Sequence, residues 1–543
     1  MMPPRAVNVL LAGAIGVAVA AALVLLFAVS RHREFQVDEV EHLHTAYDIR
    51  DGRTIYRDFW QGHPPLLYAM LAPLTDTRDP VGTYLRGRLL LAVILLGTIA
   101  LTALCAARLA GGWAAVLAAA LGLLHTTMIE RGIEVRPDGP LALLIVAALA
   151  VELAPRAALR RHSIQALLLG LGVLLTQKLI LVLLPFGVLW LIGAWRERRP
   201  RLVLQPIVLA AVPLLITCAV LATFGVAGTF LQTVYFSATS AVAHAESRAT
   251  FSPAFFLLRE SARNIAFVIA AIAGLIAIAA RRRDRAAIFA AALAVTGVAM
   301  LWANPFPWPY VHVAFIPLLA VVAGAGLTEL VKPAWKPAAT ALVIALVMTT
   351  SLPRLLQKAA DSPEQQFAML REIDRVTPPN ARCFDLAGLY FRPDAYPAFA
   401  MSGDMLVSYG AGAFPRMVPE LRRNAVGCVL FNYRTAALQS PERDFLAAHV
   451  AHYWANLYLP GADLSPMPAG ATRTFEVLAP RVFRYDGSGA IIVDGVPFAR
   501  GPLAAGNHRI DILRAAAPSR LIIDTPPPIP PPAPPRELFP SFD

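Results

Sequence analysis

The sequence predicts a mainly α-helical, multi-pass membrane bundle followed by an exported α/β or α+β domain. Three observations carry that expectation. Of the 543 residues, 57% are hydrophobic and only 15% charged, with a mean hydropathy of +0.57, whereas a soluble domain runs at roughly 45–50% apolar and about 25% charged. Long apolar runs recur from residue 7 to residue 352. From about residue 353 the composition becomes that of a soluble domain. A cytosolic enzyme and a disordered chain are both excluded. The net charge of +12 resides in short arginine clusters between apolar runs rather than on one basic face. That is a pattern of membrane topology, not of nucleic-acid binding.

A bilayer core of roughly 30 Å takes about 20 apolar residues of helix. Eleven candidate spans follow: 7–29, 87–107, 113–129, 138–154, 164–177, 179–195, 202–223, 264–280, 286–302, 311–331 and 337–352. Ala28-Val29-Ser30 resembles a signal cleavage site. The apolar run before it exceeds the usual 7–15 residues of a signal peptide, so an uncleaved anchor is expected.

Loop charge sets the orientation. One set of loops carries Arg108, Arg156, Arg160, Arg161, Arg196, Arg198, Arg199, Arg201, Arg281, Arg282, Arg283, Arg285, Lys332 and Lys336. The opposite set, leaving aside the first loop, carries only Arg131, Arg136, Lys178, Arg248, Arg259 and Arg263. The first set is expected in the cytoplasm with the N-terminus. The first loop, 30–86, has seven arginines among nine acids and conflicts mildly, but long loops weigh less in this rule.

The chain divides into a membrane module, 1–352, a soluble domain, 353–525, and a Pro-rich tail, 526–543. In the soluble domain Arg382–Leu386, Pro415–Arg423, Val426–Asn432 and Pro441–Trp454 alternate strand and helix signals, as in a small α/β unit. Further on, Arg481–Tyr485 and Ile491–Val493 flank Asp486-Gly487 as a hairpin, and Asp494-Gly495 marks another turn. His508–Leu513 and Arg520–Ile523 read as strands. Pro526–Pro535 reads as a polyproline II spacer. Four cysteines cannot make a disulfide framework or a CxxC metal site. Cys105 and Cys218 lie in apolar runs, while Cys383 and Cys428 lie in the soluble domain and could pair.

Mid-span ionisable residues are nearly absent, and the acidic groups gather instead at the outer membrane edge. After the first span, Asp38, Glu41 or His42, and Thr45 would share one helical face. Val37, Val40, Leu43 and Tyr47 would let that helix lie along the membrane surface until Asp51-Gly52 ends it. His63-Pro64-Pro65 then opens a second helical stretch. The loop from Glu130 to Asp138 adds carboxylates and guanidinium groups, and Lys178 interrupts an apolar run on the same side. Lys178 could equally snorkel to the interface. Asn304-Pro305-Phe306-Pro307-Trp308-Pro309-Tyr310 with His312 makes a rigid aromatic loop, also outside. All four features share one side of the membrane, as a composite site would require.

At these residues the sequence resembles the C-type (GT-C) glycosyltransferase superfamily, and especially bacterial relatives of the protein O-mannosyltransferases and lipid A aminoarabinose transferases. The carriers are Asp38-Glu39, the Ala46…Gly52…Tyr56-Arg57-Asp58 run, His63-Pro64-Pro65-Leu66, Arg86/Arg88, Arg136-Pro137-Asp138 and Thr176-Gln177-Lys178. The resemblance spans roughly residues 1–350, and beyond them it is one of kind only.

It implies transfer of a sugar from a polyprenyl-phosphate donor to a hydroxyl of an extracytoplasmic lipid, glycan or protein, at a bacterial inner membrane. Asp38 would then be the base, with Glu39 orienting it or contacting acceptor or metal. Lys178, Arg86, Arg88 and Arg136 would hold the donor phosphate. His63, Asp138, Tyr310 and His312 would line the sugar or acceptor. A divalent metal is left open, since no specific ligand spacing is present. Membrane lipids are expected partners and nucleic acid is not. The competing class, a transporter or flippase of lipid-linked sugars, predicts paired repeats, broken helices and mid-bilayer charges. None of these is evident in the sequence. A noncatalytic scaffold is the third class.

The arginine asymmetry places Arg281–Arg285 in the cytoplasm and residue 353 onward outside. Reporter fusions after residues 284 and 400 should register opposite sides of the membrane. Signals from the same side would remove the eleven-span arrangement.

Overall fold

The computed structural model describes residues 4–236, 253–280, 284–304, 308–465, 467–514, 518–530 and 536–539. Of the residues named above, Arg248, Arg281, Arg282, Arg283, Pro305, Phe306, Pro307 and the tract 531–535 lie outside the described residues. The chain forms two compact units. The first comprises 1–33, 62–74 and 85–361, and the second comprises 34–61, 75–84 and 362–543.

In chain order the helices begin with α1 (Pro4–His32), α2 (Val37–Arg50), α3 (Leu66–Leu71) and α4 (Pro80–Ala110). Then come α5 (Gly112–Leu124), α6 (Thr126–Gly132), α7 (Asp138–Glu152), α8 (Ala158–Val173), α9 (Leu183–Glu197) and α10 (Arg201–Thr223). They continue with α11 (Pro253–Arg263), α12 (Ile265–Ala280), α13 (Arg285–Ala303), α14 (Ile316–Leu330), α15 (Lys336–Ala359) and α16 (Glu364–Val376).

A helix stands at each of the eleven expected spans, but eleven crossings are not confirmed. Among the described residues, six helices are long and apolar enough to cross a membrane, or up to eight if each bent pair is one span. The pairs are α5 with α6, bent by 61°, and α11 with α12, bent by 100°. These breaks were not evident in the sequence, and one side chain serves both. Asn264, at the second bend, accepts from the Thr126 N–H (3.0 Å) at the first and donates to the Glu260 carbonyl (3.1 Å). Backbone groups freed in an apolar phase need such partners.

The first unit is a helical bundle with apolar groups on both its inside and its outside. In α1, Ile15, Ala18, Ala22, Leu26 and Val29 form a buried stripe, while Val9, Leu10, Val17, Val24 and Phe27 are exposed. Apolar contact cannot drive helices together in lipid, so small residues and close backbones do so. A Cβ on Gly326 of α14 would stand 2.3 Å from the Gly274 carbonyl oxygen of α12, and one on Gly274 would stand 2.5 Å from the Val322 oxygen.

The second unit is built on two sheets. Strands β1 (Cys383–Phe384), β2 (Cys428–Leu430), β3 (Val450–Trp454), β4 (Leu457–Asp463), β5 (Thr472–Val477) and β6 (Arg481–Asp486) come first. They are followed by β7 (Ala490–Val493), β8 (Val496–Phe498), β9 (Arg500–Leu503), β10 (Gly506–Arg514) and β11 (Arg520–Ile523). One sheet runs β1-β2-β4-β11-β6-β9 with β3 also on β4, and the other runs β5-β10-β7-β8. Among the described strands only β1 and β2 pair in parallel, and Cys383 and Cys428 face each other there in a disulfide.

Three local expectations need correction. The helix starting at Glu442 stops at His449, and the β-rich Val450–Trp454 becomes a strand against β4. β6 and β7 form no hairpin, because β6 pairs with β11 and β9 while β7 pairs with β10 and β8. Gly487-Ser488-Gly489 lets the chain change sheets there. The turn at Asp494-Gly495 does close the β7–β8 hairpin, with φ of 52° and 82° as a type I′ turn requires. Lastly, the described part of the proline tract is no spacer. Its free carbonyls accept from Tyr453 Oη at Pro526 (2.8 Å), Arg375 at Pro527 (2.9 Å) and Trp454 Nε1 at Ile529 (2.5 Å).

Gly326→Val should therefore lower stability by about 1–3 kcal/mol or more, the scale of overpacking. It should be seen as a lower thermal midpoint in detergent. Gly13→Val, where no atom lies within 4 Å of the new Cβ, should leave the midpoint unchanged.

Candidate functional site

In the first unit, the loop between α6 and α7 turns most of its charges inward. Glu134 accepts from Arg33 (2.6 Å) and Arg131 (2.7 Å), and Glu130 pairs with Arg354 (2.8 Å to Oε2). Arg136 points elsewhere. Its guanidinium carbon stands 3.2 Å from the centroid of Tyr310, and its Nε is 3.6 Å from Asp138 Oδ2. Lys178 Nζ approaches the same ring at 5.4 Å and lies within electrostatic reach of Asp138. Lys178 is placed there by a break before α9, where Thr176 Oγ1 accepts from its backbone N–H at 3.4 Å. Two cations thus meet at one ring, with the Asp138 carboxylate beside them. Cation–π attraction holds both cations without neutralising them.

The other candidates of this unit make further contacts. Arg88 is fully buried and donates to the carbonyls of Ser30 (3.2 Å) and Arg33, at the C-terminal end of α1. Arg86 donates to the Leu74 carbonyl at 3.0 Å. His63 precedes α3, whose N-cap is Pro65. His312 is buried two residues beyond Tyr310, within electrostatic reach of Glu260, which accepts from Thr127 Oγ1 at 2.8 Å.

In the second unit, α2 starts in a capping box, where Glu39 Oε1 accepts the Gln36 N–H at 3.0 Å. Glu39 is fully buried. The expected surface helix is instead buried, with Val37, Val40 and Leu43 all at 0% exposure. Its apolar stripe meets protein rather than lipid. Asp38 keeps about a fifth of its side chain exposed, and Arg434 donates to its Oδ1 at 3.3 Å. Arg434 is itself held by the Leu386 carbonyl (3.0 Å). Along the same face Gln61 Nε2 reaches Thr45 Oγ1 (2.9 Å) and Glu41 Oε1 (3.4 Å).

An adjacent stripe of α2 carries a closed charge cluster. His44 Nδ1 is 2.6 Å from the Tyr390 carbonyl oxygen, and its Nε2 is 2.9 Å from Asp394 Oδ1. Arg53 donates to Asp48 Oδ1 (2.6 Å) and to Asp394 Oδ2. Burial alone would push His44 down, but Asp394 and Asp48 beside it outweigh that and raise it to about 9. Burial, and next the neighbouring Asp394, push Asp48 well above the usual carboxylate range. For Asp394, His44 and Arg53 overcome burial and hold it low.

Arg434, Gln61 and this cluster were not anticipated from the sequence. Their pairings with α2 span 5 to 396 residues, and no local spacing signals the long ones. A His and an Asp at i, i+4 were the only trace.

No family model matches the sequence, and no curated protein matches it. Solved structures do. The crystal structure of ArnT from Cupriavidus metallidurans bound to undecaprenyl phosphate aligns with a TM-score of 0.58 and 16% identity, over 82% of this chain and 98% of that one. Its apo state aligns at 0.55 and 16%, over 83% and 98%. The Archaeoglobus fulgidus oligosaccharyltransferase in complex with Zn and sulfate gives 0.46 and 13%, over 80% and 71%. The ArnT likeness is one of fold. The chain is a multi-pass membrane protein with a C-terminal sheet region and the fold of that ArnT structure.

Proposed function

We propose that this protein is a membrane glycosyltransferase that moves a sugar from a polyprenyl-phosphate donor to a hydroxyl of an extracytoplasmic acceptor. The observation that carries the reading is the meeting of Arg136 and Lys178 on Tyr310, in a fold shared with an ArnT structure that holds undecaprenyl phosphate. A lipid phosphate leaving group gains charge as the glycosidic bond breaks. Fixed cations then stabilise the transition state more than the ground state.

Asp38 takes the acceptor proton in this reading. Its partial exposure leaves the carboxylate reachable, and Arg434 orients it. Glu39 acts by fixing the first turn of α2, and so the position of Asp38. Arg88 and Arg86 brace backbone carbonyls, so the phosphate role falls first to Arg136 and Lys178. Tyr310, Asp138, His63 and His312 serve sugar and acceptor. The membrane is a bacterial inner membrane, with the N-terminus in the cytoplasm and the second unit outside. The Cys383–Cys428 disulfide supports that side, since such bonds persist in oxidising compartments.

With a panel of polyprenyl-phosphate sugars, Asp38→Asn should lower transfer by at least about 10²-fold, with unchanged expression and donor binding. Full activity of that variant would remove the base assignment.

Lys178→Ala should weaken both donor binding and turnover, and Lys178→Arg should retain part of each. The check is the donor-concentration dependence of transfer in reconstituted membranes. An alanine variant with wild-type affinity and rate would mean that Lys178 only snorkels.

A further inference from the structure

The cluster of His44, Asp48, Asp394 and Arg53 plays no part in the transfer chemistry, yet its four side chains are arranged around one point. Both carboxylates are fully buried, as is the imidazole. Arg53 takes one oxygen from each acid, Asp48 Oδ1 and Asp394 Oδ2. The other two oxygens, Asp48 Oδ2 and Asp394 Oδ1, turn towards His44 Nε2 at 3.8 and 2.9 Å. Tyr390 Oη donates to the same Asp394 oxygen at 3.1 Å. The potential ligand atoms of His44, Asp48 and Asp394 all lie within 4.8 Å of one another.

Two details separate this arrangement from an ordinary buried ion pair. The carbonyl of Tyr390 can only accept, so His44 Nδ1 carries a proton and Nε2 is the nitrogen that faces the acids. A backbone carbonyl on the far nitrogen is the usual way in which a protein prepares a histidine as a metal ligand. In addition, Asp48 Oδ2 is buried without a hydrogen-bond partner among the described residues. A proton on Nε2 satisfies Asp394 but not Asp48, which is too far for a hydrogen bond. Leaving a buried carboxylate oxygen unmet is costly. One cation between the three atoms would meet all of them.

We propose that His44 Nε2, Asp48 Oδ2 and Asp394 Oδ1 bind a divalent transition-metal ion that fastens α2 to the 390–394 segment. Imidazole with carboxylate oxygens suits Zn²⁺ and its neighbours rather than Ca²⁺ or Mg²⁺, which prefer oxygen alone. The enclosed position gives the ion a structural role. This site is distinct from the Asp38 carboxylate and does not depend on the transferase reading.

The test uses the full-length protein in detergent, stripped with a chelator and then titrated with Zn²⁺ alone. Bound metal is counted by plasma mass spectrometry and stability is followed by thermal unfolding. Wild type should take up one equivalent and gain several degrees in thermal midpoint. Asp48→Asn keeps the acceptor for Arg53 but weakens the ligand, and should lose both effects. Should that variant fail to fold, X-ray absorption of Zn-loaded wild type still decides, by requiring one imidazole nitrogen and oxygen neighbours with no sulfur. No uptake by stripped wild type, uptake undiminished in folded Asp48→Asn, or sulfur in the first coordination sphere would each overturn the site and leave His44 as a protonated ion-pair partner.

Discussion

An ionised group with no water beside it must be met by an opposite charge or by aimed dipoles, since removing it from water costs several kcal/mol even after relaxation. That constraint organises both units. In the first, Glu134 is met by Arg33 and Arg131, and Glu130 by Arg354, so that α1, α6 and α15 are tied by charge at one level. In the second, Arg53 joins Asp48 to Asp394 and brings α2 to a strand-rich region far along the chain. Arg136 and Lys178 are gathered differently, on one aromatic face beside Asp138. Two cations held by one ring in a buried setting are well placed to meet an anionic ligand.

Legibility in the sequence followed the range of the interaction involved. Helices at the eleven expected places were readable because apolar runs are contiguous, and the stripe in α1 repeats every three or four residues. The number of crossings was not, because a 61° bend at His125 depends on what Asn264 donates and accepts from another helix. Strand β11 was readable to its ends, and the β7–β8 turn was readable from Asp494-Gly495. The partner of β6 was not, since a Gly-Ser-Gly link permits either a tight hairpin or a change of sheet, and only the rest of the second unit decides.

The candidate site shows the same division. Arg136, Asp138, Lys178 and Tyr310 come from three separate stretches and meet at one ring. Arg434 was invisible, being one arginine among many in a domain read for its strands, helices and cysteines. Glu39 also changed meaning once its carboxylate was found closing a capping box, because a first-turn acid in a helix often serves the helix itself. Helix α2 thus presents Asp38, Glu41 and Thr45 along one stripe while the neighbouring stripe, His44 and Asp48, is anchored.

Phe35 exchanges two hydrogen bonds with Gln366, each of 2.8 Å, across a separation of 331 residues, and Glu34 pairs with Arg536 across 502. The second unit therefore cannot close in the order in which it is made. At ribosomal rates of about 5–20 residues per second, Phe35 emerges roughly 15–70 s before Gln366. Throughout that interval α2, whose Val37, Val40 and Leu43 are fully buried in the finished protein, lacks the partner that holds its N-terminal flank. The nascent helix carries an apolar stripe and follows closely on the apolar α1, so a bilayer interface is the apolar phase at hand. Maturation of this protein is thus a delayed closure, in which the first segment of the second unit waits for the last.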